Sequence, residues 1–168
     1  WATSYVTTKL KEKIDIYRAA GIPVYFGGTL FEAFIIRDQF EDYRRLLDKY
    51  QLSFVEVSDG SITLDHDTKC EYIQTLAKDV TVLSEVGSKD AAKIIPPYKW
   101  IDQMQKELSA GAWKVIGEAR EGGTVGLFRD SGEVRQGLVE EILTQVPEER
   151  IIWEAPQKEQ QVWFIKLL

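Results

Sequence analysis

The sequence predicts an α/β protein built as a (β/α)₈ TIM barrel, here incomplete, and three features predict it. Five apolar or β-branched runs are each followed at once by glycine, an acid or both. A helical pattern fills every interval between them, and polar residues recur at the C-terminal end of every run. The runs begin at residues 23, 53, 80, 113 and 151, spacings of 30, 27, 33 and 38 residues that fit strand–helix units and therefore a parallel sheet. A doubly wound sheet is the other parallel solution. Neither Gly27-Gly28-Thr29 nor Glu121-Gly122-Gly123, however, forms the spaced glycine fingerprint that opens a dinucleotide-binding helix. A barrel assembles its site from C-terminal strand ends, where this sequence keeps its polar residues. A full barrel takes about 250 residues, so 168 accommodate part of one.

The elements follow in order. TKLKEKIDIYRAAG from Thr8 sets Leu10, Ile14 and Tyr17 on one helical face and terminates at Gly21. PVYFGGTLFE from Pro23 reads as the first strand with its loop, and FEAFIIRDQFEDYRRLLDKYQ from Phe31 as one long amphipathic helix. SFVEVSDGS from Ser53 is the second strand, and DTKCEYIQTLAKD from Asp67 places Cys70, Ile73 and Ala77 together on a helix. VTVLSEVGSK from Val80 is the third strand; the helix PYKWIDQMQKELSAGA opens after Pro96-Pro97 and closes at Gly111. WKVIGEAREGG from Trp113 is the fourth, followed by SGEVRQGLVEEILTQVP, with Val134, Leu138 and Leu143 on one side and Pro147 as its stop. IIWEAPQK from Ile151 is the fifth, and EQQVWFIKLL begins another helix.

A chain 44% hydrophobic and 29% charged is ordinary globular material. Its formal charge of −6 and the lack of a basic stripe exclude a nucleic-acid partner. The single cysteine, Cys70, excludes an internal disulfide and a cysteine-rich zinc site, in keeping with a reducing cytoplasm. No apolar run reaches the roughly 18 residues of a membrane span, and the opening WATSYVTTKLKEK lacks a signal-peptide core. Trp1 in place of Met and a close on Leu168 inside a helical pattern lead to the expectation of a single barrel domain over 1–168, truncated at both ends. Open strand edges would then call for a homo-oligomeric partner or for more chain to cover them.

The strand-end acids are Glu32, Glu56, Asp59, Glu85, Glu118, Glu121 and Glu154. Carboxylates gathered at one mouth raise one another's pKa, so a cluster ionised near pH 7 needs a cation, and hard oxygen ligands select Mg²⁺ over zinc. For any single acid, capping the next helix or pairing with a lysine is the competing reading. By period-two alternation Glu118 and Arg120 in VIGEAR share a face, and a guanidinium there suits an anionic substrate as well as it suits a structural ion pair. Lys89 and Lys158 are the other strand-end cations, able to bind phosphate or donate a proton, with a solvated surface lysine as the default. His66, at a helix start, receives no role; Cys70, Trp153 and Trp163 are read as packing residues.

The strings GGTLFE, VEVSDGS, SEVG-x-K, EAREGG and EAPQKEQQ, in that order and over essentially the whole chain, resemble the phosphosulfolactate synthase family of coenzyme M biosynthesis. The opening WATS resembles the family's segment at the end of barrel strand two, which makes the five runs strands three to seven. The resemblance implies a cytoplasmic carbon–sulfur lyase that uses Mg²⁺ to add sulfite to phosphoenolpyruvate, giving (2R)-2-phospho-3-sulfolactate. When sulfur attacks the methylene carbon, charge builds at the phosphate-bearing carbon and spreads into the carboxylate, where a divalent cation stabilises it. It further implies Lys89 and Glu85 as catalytic residues, Lys89 as the acid that protonates that carbon. Asp59, Glu85, Glu118 and Glu154 would be metal ligands, directly or through water, and Arg120, Lys158, Gln157 and Gln160 would hold substrate. Phe26 stands where the family usually has proline before GGTLFE, and the segment after Arg120 is one residue shorter. Two alternatives follow from the same resemblance: a non-catalytic barrel of the heat-stress-associated branch acting through protein interaction, and a phosphoenolpyruvate enzyme with another nucleophile. The intact EAPQKEQQ favours the synthase.

Overall fold

A computed structural model describes residues 7–88 and 95–168. Its helices are α1 (Leu10–Ala19), α2 (Gly28–Ile35), α3 (Phe40–Tyr50), α4 (His66–Leu76), α5 (Pro97–Ser109), α6 (Gln136–Leu143) and α7 (Lys158–Leu167). Its strands are β1 (Phe54–Val57), β2 (Thr81–Val86), β3 (Lys114–Gly117) and β4 (Ile151–Trp153). The strands form one sheet in the order β1-β2-β3-β4, and every neighbouring pair is parallel. α4 packs against β1, β2 and α5, while α5 packs against β2, β3 and α6, so successive helices lie side by side over the strands they join. Within the sheet no strand is placed out of chain order. That is the winding of a barrel wall, and a doubly wound sheet would instead reverse at a switch point.

Register assigns each side chain to a face. Glu56 pairs with Leu83, and Glu85 with Ile116, which pairs with Ile152, so these residues share one face. Val55, Val57, Val82, Val86 and Val115 belong to the other. That second face is buried beneath the helices. Val55, Val57 and Val82 pack with Ile73, Phe31 and Tyr43 in one cluster, and Val86 and Val115 with Trp100, Met104, Leu138 and Phe164 in another.

Three expectations need correction. The run at Pro23 forms no strand among the described residues: residues 22–27 have neither strand nor helix assignment. Pro23 has no N–H to give to a ladder, and Gly27, extended at φ −63° and ψ 153°, leads directly into α2. The long helix from Phe31 is two, because Asp38 adopts φ 55° between α2 and α3 and its left-handed backbone ends the first helical register. The helix expected from Ser131 begins later, at Gln136, since Val134 bridges back to Phe128. No helix among the described residues is long and apolar enough to cross a membrane.

Candidate functional site

Four successive strands each finish on a glutamate: Glu56 in β1, Glu85 in β2, Glu118 just after β3 and Glu154 just after β4. Alternation along the strands puts all four on the face opposite the helices. There they line one cavity of about 630 Å³, with Arg120, Glu121, Ser61 and the start of α2 on its rim. Backbone donors aim three of them. The Gly28 N–H donates to Glu56 Oε1 at 2.5 Å, the Arg120 N–H to Glu118 Oε1 at 2.5 Å, and the Ala119 N–H to Glu154 Oε2 at 2.8 Å. Glu154 thereby ties the end of β4 to the loop after β3.

The loop after β3 turns sharply. Arg120 takes φ 57°, a left-handed conformation that costs a non-glycine residue on the order of 1 kcal/mol and that clusters at functional sites. Gly126, at φ +65°, lies so close to the backbone of Glu118 that a Cβ would stand 2.0 Å from its carbonyl oxygen. Gly126→Ala should therefore displace the Glu118 segment and lower unfolding free energy by about 2 kcal/mol or more in a urea titration, whereas Gly137→Ala, in open space on α6, should not.

Other expected site residues are placed differently. Asp59 is not among the residues that line the cavity; Lys69 Nζ donates to its Oδ1 at 2.9 Å. Gln157 caps α7 in a capping box with Gln160 and donates to the Gly122 carbonyl at 2.8 Å. Gln160, fully buried, donates to the carbonyls of Gly123 at 2.8 Å and Gly132 at 2.9 Å. Both amides thus clamp the 118–135 loop to the head of α7. Lys158 is exposed at the first turn of that helix, outside the cavity lining. Lys89 lies outside the described residues. Cys70 is half-buried and not core, because Lys69, Ile73 and Leu76 form the buried face of α4. Trp153 does pack, stacked on Phe164 with centroids 5.2 Å apart.

Two residues beside the site escaped the sequence pattern. Tyr25, two residues before the double glycine and outside the cavity lining, hydrogen-bonds Glu56 and feels the charges of Glu56, Glu154 and Glu85. Desolvation first, then those carboxylates, push its pKa up, so it stays a protonated donor. Lys69 is the second, with its side chain 1% exposed. Its Nζ meets Asp59, Glu107 Oε1 at 2.9 Å and the Glu85 carbonyl at 2.6 Å. Burial alone would depress its pKa; Glu107 and Asp59 outweigh that and hold it above the usual lysine value.

A family model described as (2R)-phospho-3-sulfolactate synthase matches residues 1–168. The chain is 37% identical to a phosphosulfolactate synthase of Bacillus subtilis over 169 residues, covering 99% of this chain and 67% of the relative. It is 37% identical to one of Methanothermobacter thermautotrophicus over 93% of this chain and 62% of the relative. A third, from Methanocaldococcus jannaschii, is 39% identical over 98% of this chain and 68% of the relative. The chain thus spans about two thirds of the length of the curated relatives it matches. Matched over its whole length by that model and over nearly all of it by these relatives, the chain belongs to the (2R)-phospho-3-sulfolactate synthase family.

Proposed function

We propose that this chain carries the site at which sulfite adds to phosphoenolpyruvate to give (2R)-2-phospho-3-sulfolactate with Mg²⁺ as cofactor, on part of a (β/α)₈ barrel whose strands four to seven are β1–β4. The observation that carries this is the row of four glutamates, one per consecutive parallel strand, converging on a single cavity. Hard carboxylate oxygens gathered on one cavity are the ligand type that suits Mg²⁺. Glu85, Glu118 and Glu154 are the residues that would hold it, while the Asp59 carboxylate is committed to Lys69. Among the described residues no three His, Cys, Asp or Glu side chains form a group that could hold a metal ion by themselves, so in this reading Mg²⁺ would need water and substrate oxygens to complete its shell. When bound, the ion would supply charge stabilisation to a substrate carboxylate.

The chain's own residues have separable tasks in this reading. Arg120, a cation on the cavity rim, would hold a substrate phosphate or carboxylate in a two-point contact. Tyr25 would offer a neutral donor among the acids. Lys89 would deliver the proton to the carbon left electron-rich by sulfite attack.

Full-length protein should consume phosphoenolpyruvate only when sulfite and Mg²⁺ are both present, measured by phosphorus NMR of the product. Sulfite-independent loss would point to another nucleophile, and no loss at all would sink the reading. Lys89→Ala should lower turnover about a hundredfold or more with phosphoenolpyruvate binding retained in calorimetry. Unchanged turnover would remove Lys89 from the role.

A further inference from the structure

We propose that Lys69 is a positioning residue for this cavity, a buried ammonium on α4 that fixes the ends of β1 and β2 and through them the stance of Glu85. Its Nζ donates to the backbone carbonyl of Glu85 at 2.6 Å and to Asp59 Oδ1, in the loop after β1, at 2.9 Å. The third contact is Glu107 Oε1 of α5 at 2.9 Å. One side chain therefore ties the ends of β1 and β2 to α4 and α5, and it does so on the side of β2 away from the cavity. Lys69 and Glu107 are each 1% exposed, and His66 Nε2 lies 3.0 Å from the same Glu107 oxygen.

A buried ion pair is weak evidence for stability, because desolvating both charges offsets most of their attraction. Stability alone therefore gives little reason to keep a lysine on the buried face of α4, beside Ile73 and Leu76. Geometry gives a stronger one. Glu85 projects into the cavity from an inner strand, and its carbonyl faces a donor that is itself locked by two carboxylates. The loop after β1 is held from the other side as well, since Glu32, 2% exposed, accepts from Ser58 Oγ at 2.5 Å and from the Ser61 N–H at 3.2 Å. Ser61 lines the cavity. Between them Glu32 and Lys69 grip Ser58, Asp59 and Ser61, which leaves this lip of the site preorganised.

The inference rests on reading the cavity as a Mg²⁺-dependent synthase site, and the experiment separates the two. Lys69→Met/Glu107→Leu is made in the full-length protein so that neither fully buried charge is left uncompensated, together with the isosteric Asp59→Asn at a side chain 20% exposed. Folding is checked by cooperative melting, Mg²⁺ alone is titrated calorimetrically, and kcat and KM for phosphoenolpyruvate are measured with sulfite. Loss of the Lys69 grip on the Glu85 carbonyl should weaken Mg²⁺ binding or turnover about tenfold or more in the double variant and about threefold in Asp59→Asn, with KM within about threefold of wild type. A folded variant with wild-type Mg²⁺ affinity and kcat overturns the positioning role. If the double variant does not melt cooperatively, Asp59→Asn decides by the same measurements. If wild type binds Mg²⁺ but shows no sulfite-dependent turnover, the proposed reaction fails and Mg²⁺ affinity alone still judges Lys69.

Discussion

Glu85→Gln in the full-length protein is expected to lower sulfite-dependent turnover about a hundredfold or more while leaving the melting temperature unchanged. Glutamine keeps the shape of the side chain and removes only its charge. Glu85 sits at the end of an inner strand, with β1 and β3 hydrogen-bonded on either side and Lys69 on its carbonyl, so its backbone has little freedom to compensate. It is 5% exposed and shares the cavity with Glu56, Glu118 and Glu154. Glutamine at position 85 keeps a polar side chain of the same length in that space, so the packing of the strand end is retained. If the Glu85 carboxylate serves the proposed chemistry and not the fold, activity should fall while stability stays. Turnover within threefold of wild type, or a melting temperature that falls with activity, would remove Glu85 from the metal-binding set.

How the site is built was partly visible in the residues. In FVEV, LSEV, VIGEA and IIWEA an acid interrupts an apolar run near its C-terminal end, and alternation within parallel strands carries that interruption to one common face. The glutamate row was therefore legible. The run at Pro23 shares the same grammar yet is no strand, because a pattern of apolar residues does not report whether a hydrogen-bonding neighbour exists. The amides of EAPQKEQQ looked like ligands for an anion; Gln157 and Gln160 spend them on loop carbonyls 28 to 37 residues away in sequence, partners that only the folded chain brings near. Lys69 was hidden differently. Lys69, Ile73 and Leu76 form one helical stripe, and Trp100, Met104 and Glu107 another. Each stripe carries one charge in an apolar register, a mismatch that makes sense only when the two helices are laid side by side.

That pairing sets the largest expected effect on stability. Glu107→Ala should cost about 3–5 kcal/mol of unfolding free energy, because it leaves the Lys69 ammonium buried with only Asp59 opposite. Lys69→Met/Glu107→Leu, which removes both charges and refills the space with apolar groups, should lie within about 2 kcal/mol of wild type despite changing more atoms. The pH dependence distinguishes the ion pair from simple loss of packing. Burial pushes the Glu107 carboxyl up, but Lys69, with His66 and Ser84, outweighs it and holds the group below its usual 4.5. A carboxylate with a depressed folded pKa contributes stability that is complete above 4.5 and lost as pH falls through the lower folded value. Lys69, raised above 10.5, contributes below 10.5 and loses that contribution as pH rises through its folded value. Between those limits the pair is fully charged in folded and unfolded chain alike, so the deficit of Glu107→Ala should be flat there. As pH falls below 4.5 it should shrink, because the wild type loses what the variant never had. A deficit independent of pH across that range would assign Glu107 to packing instead of charge.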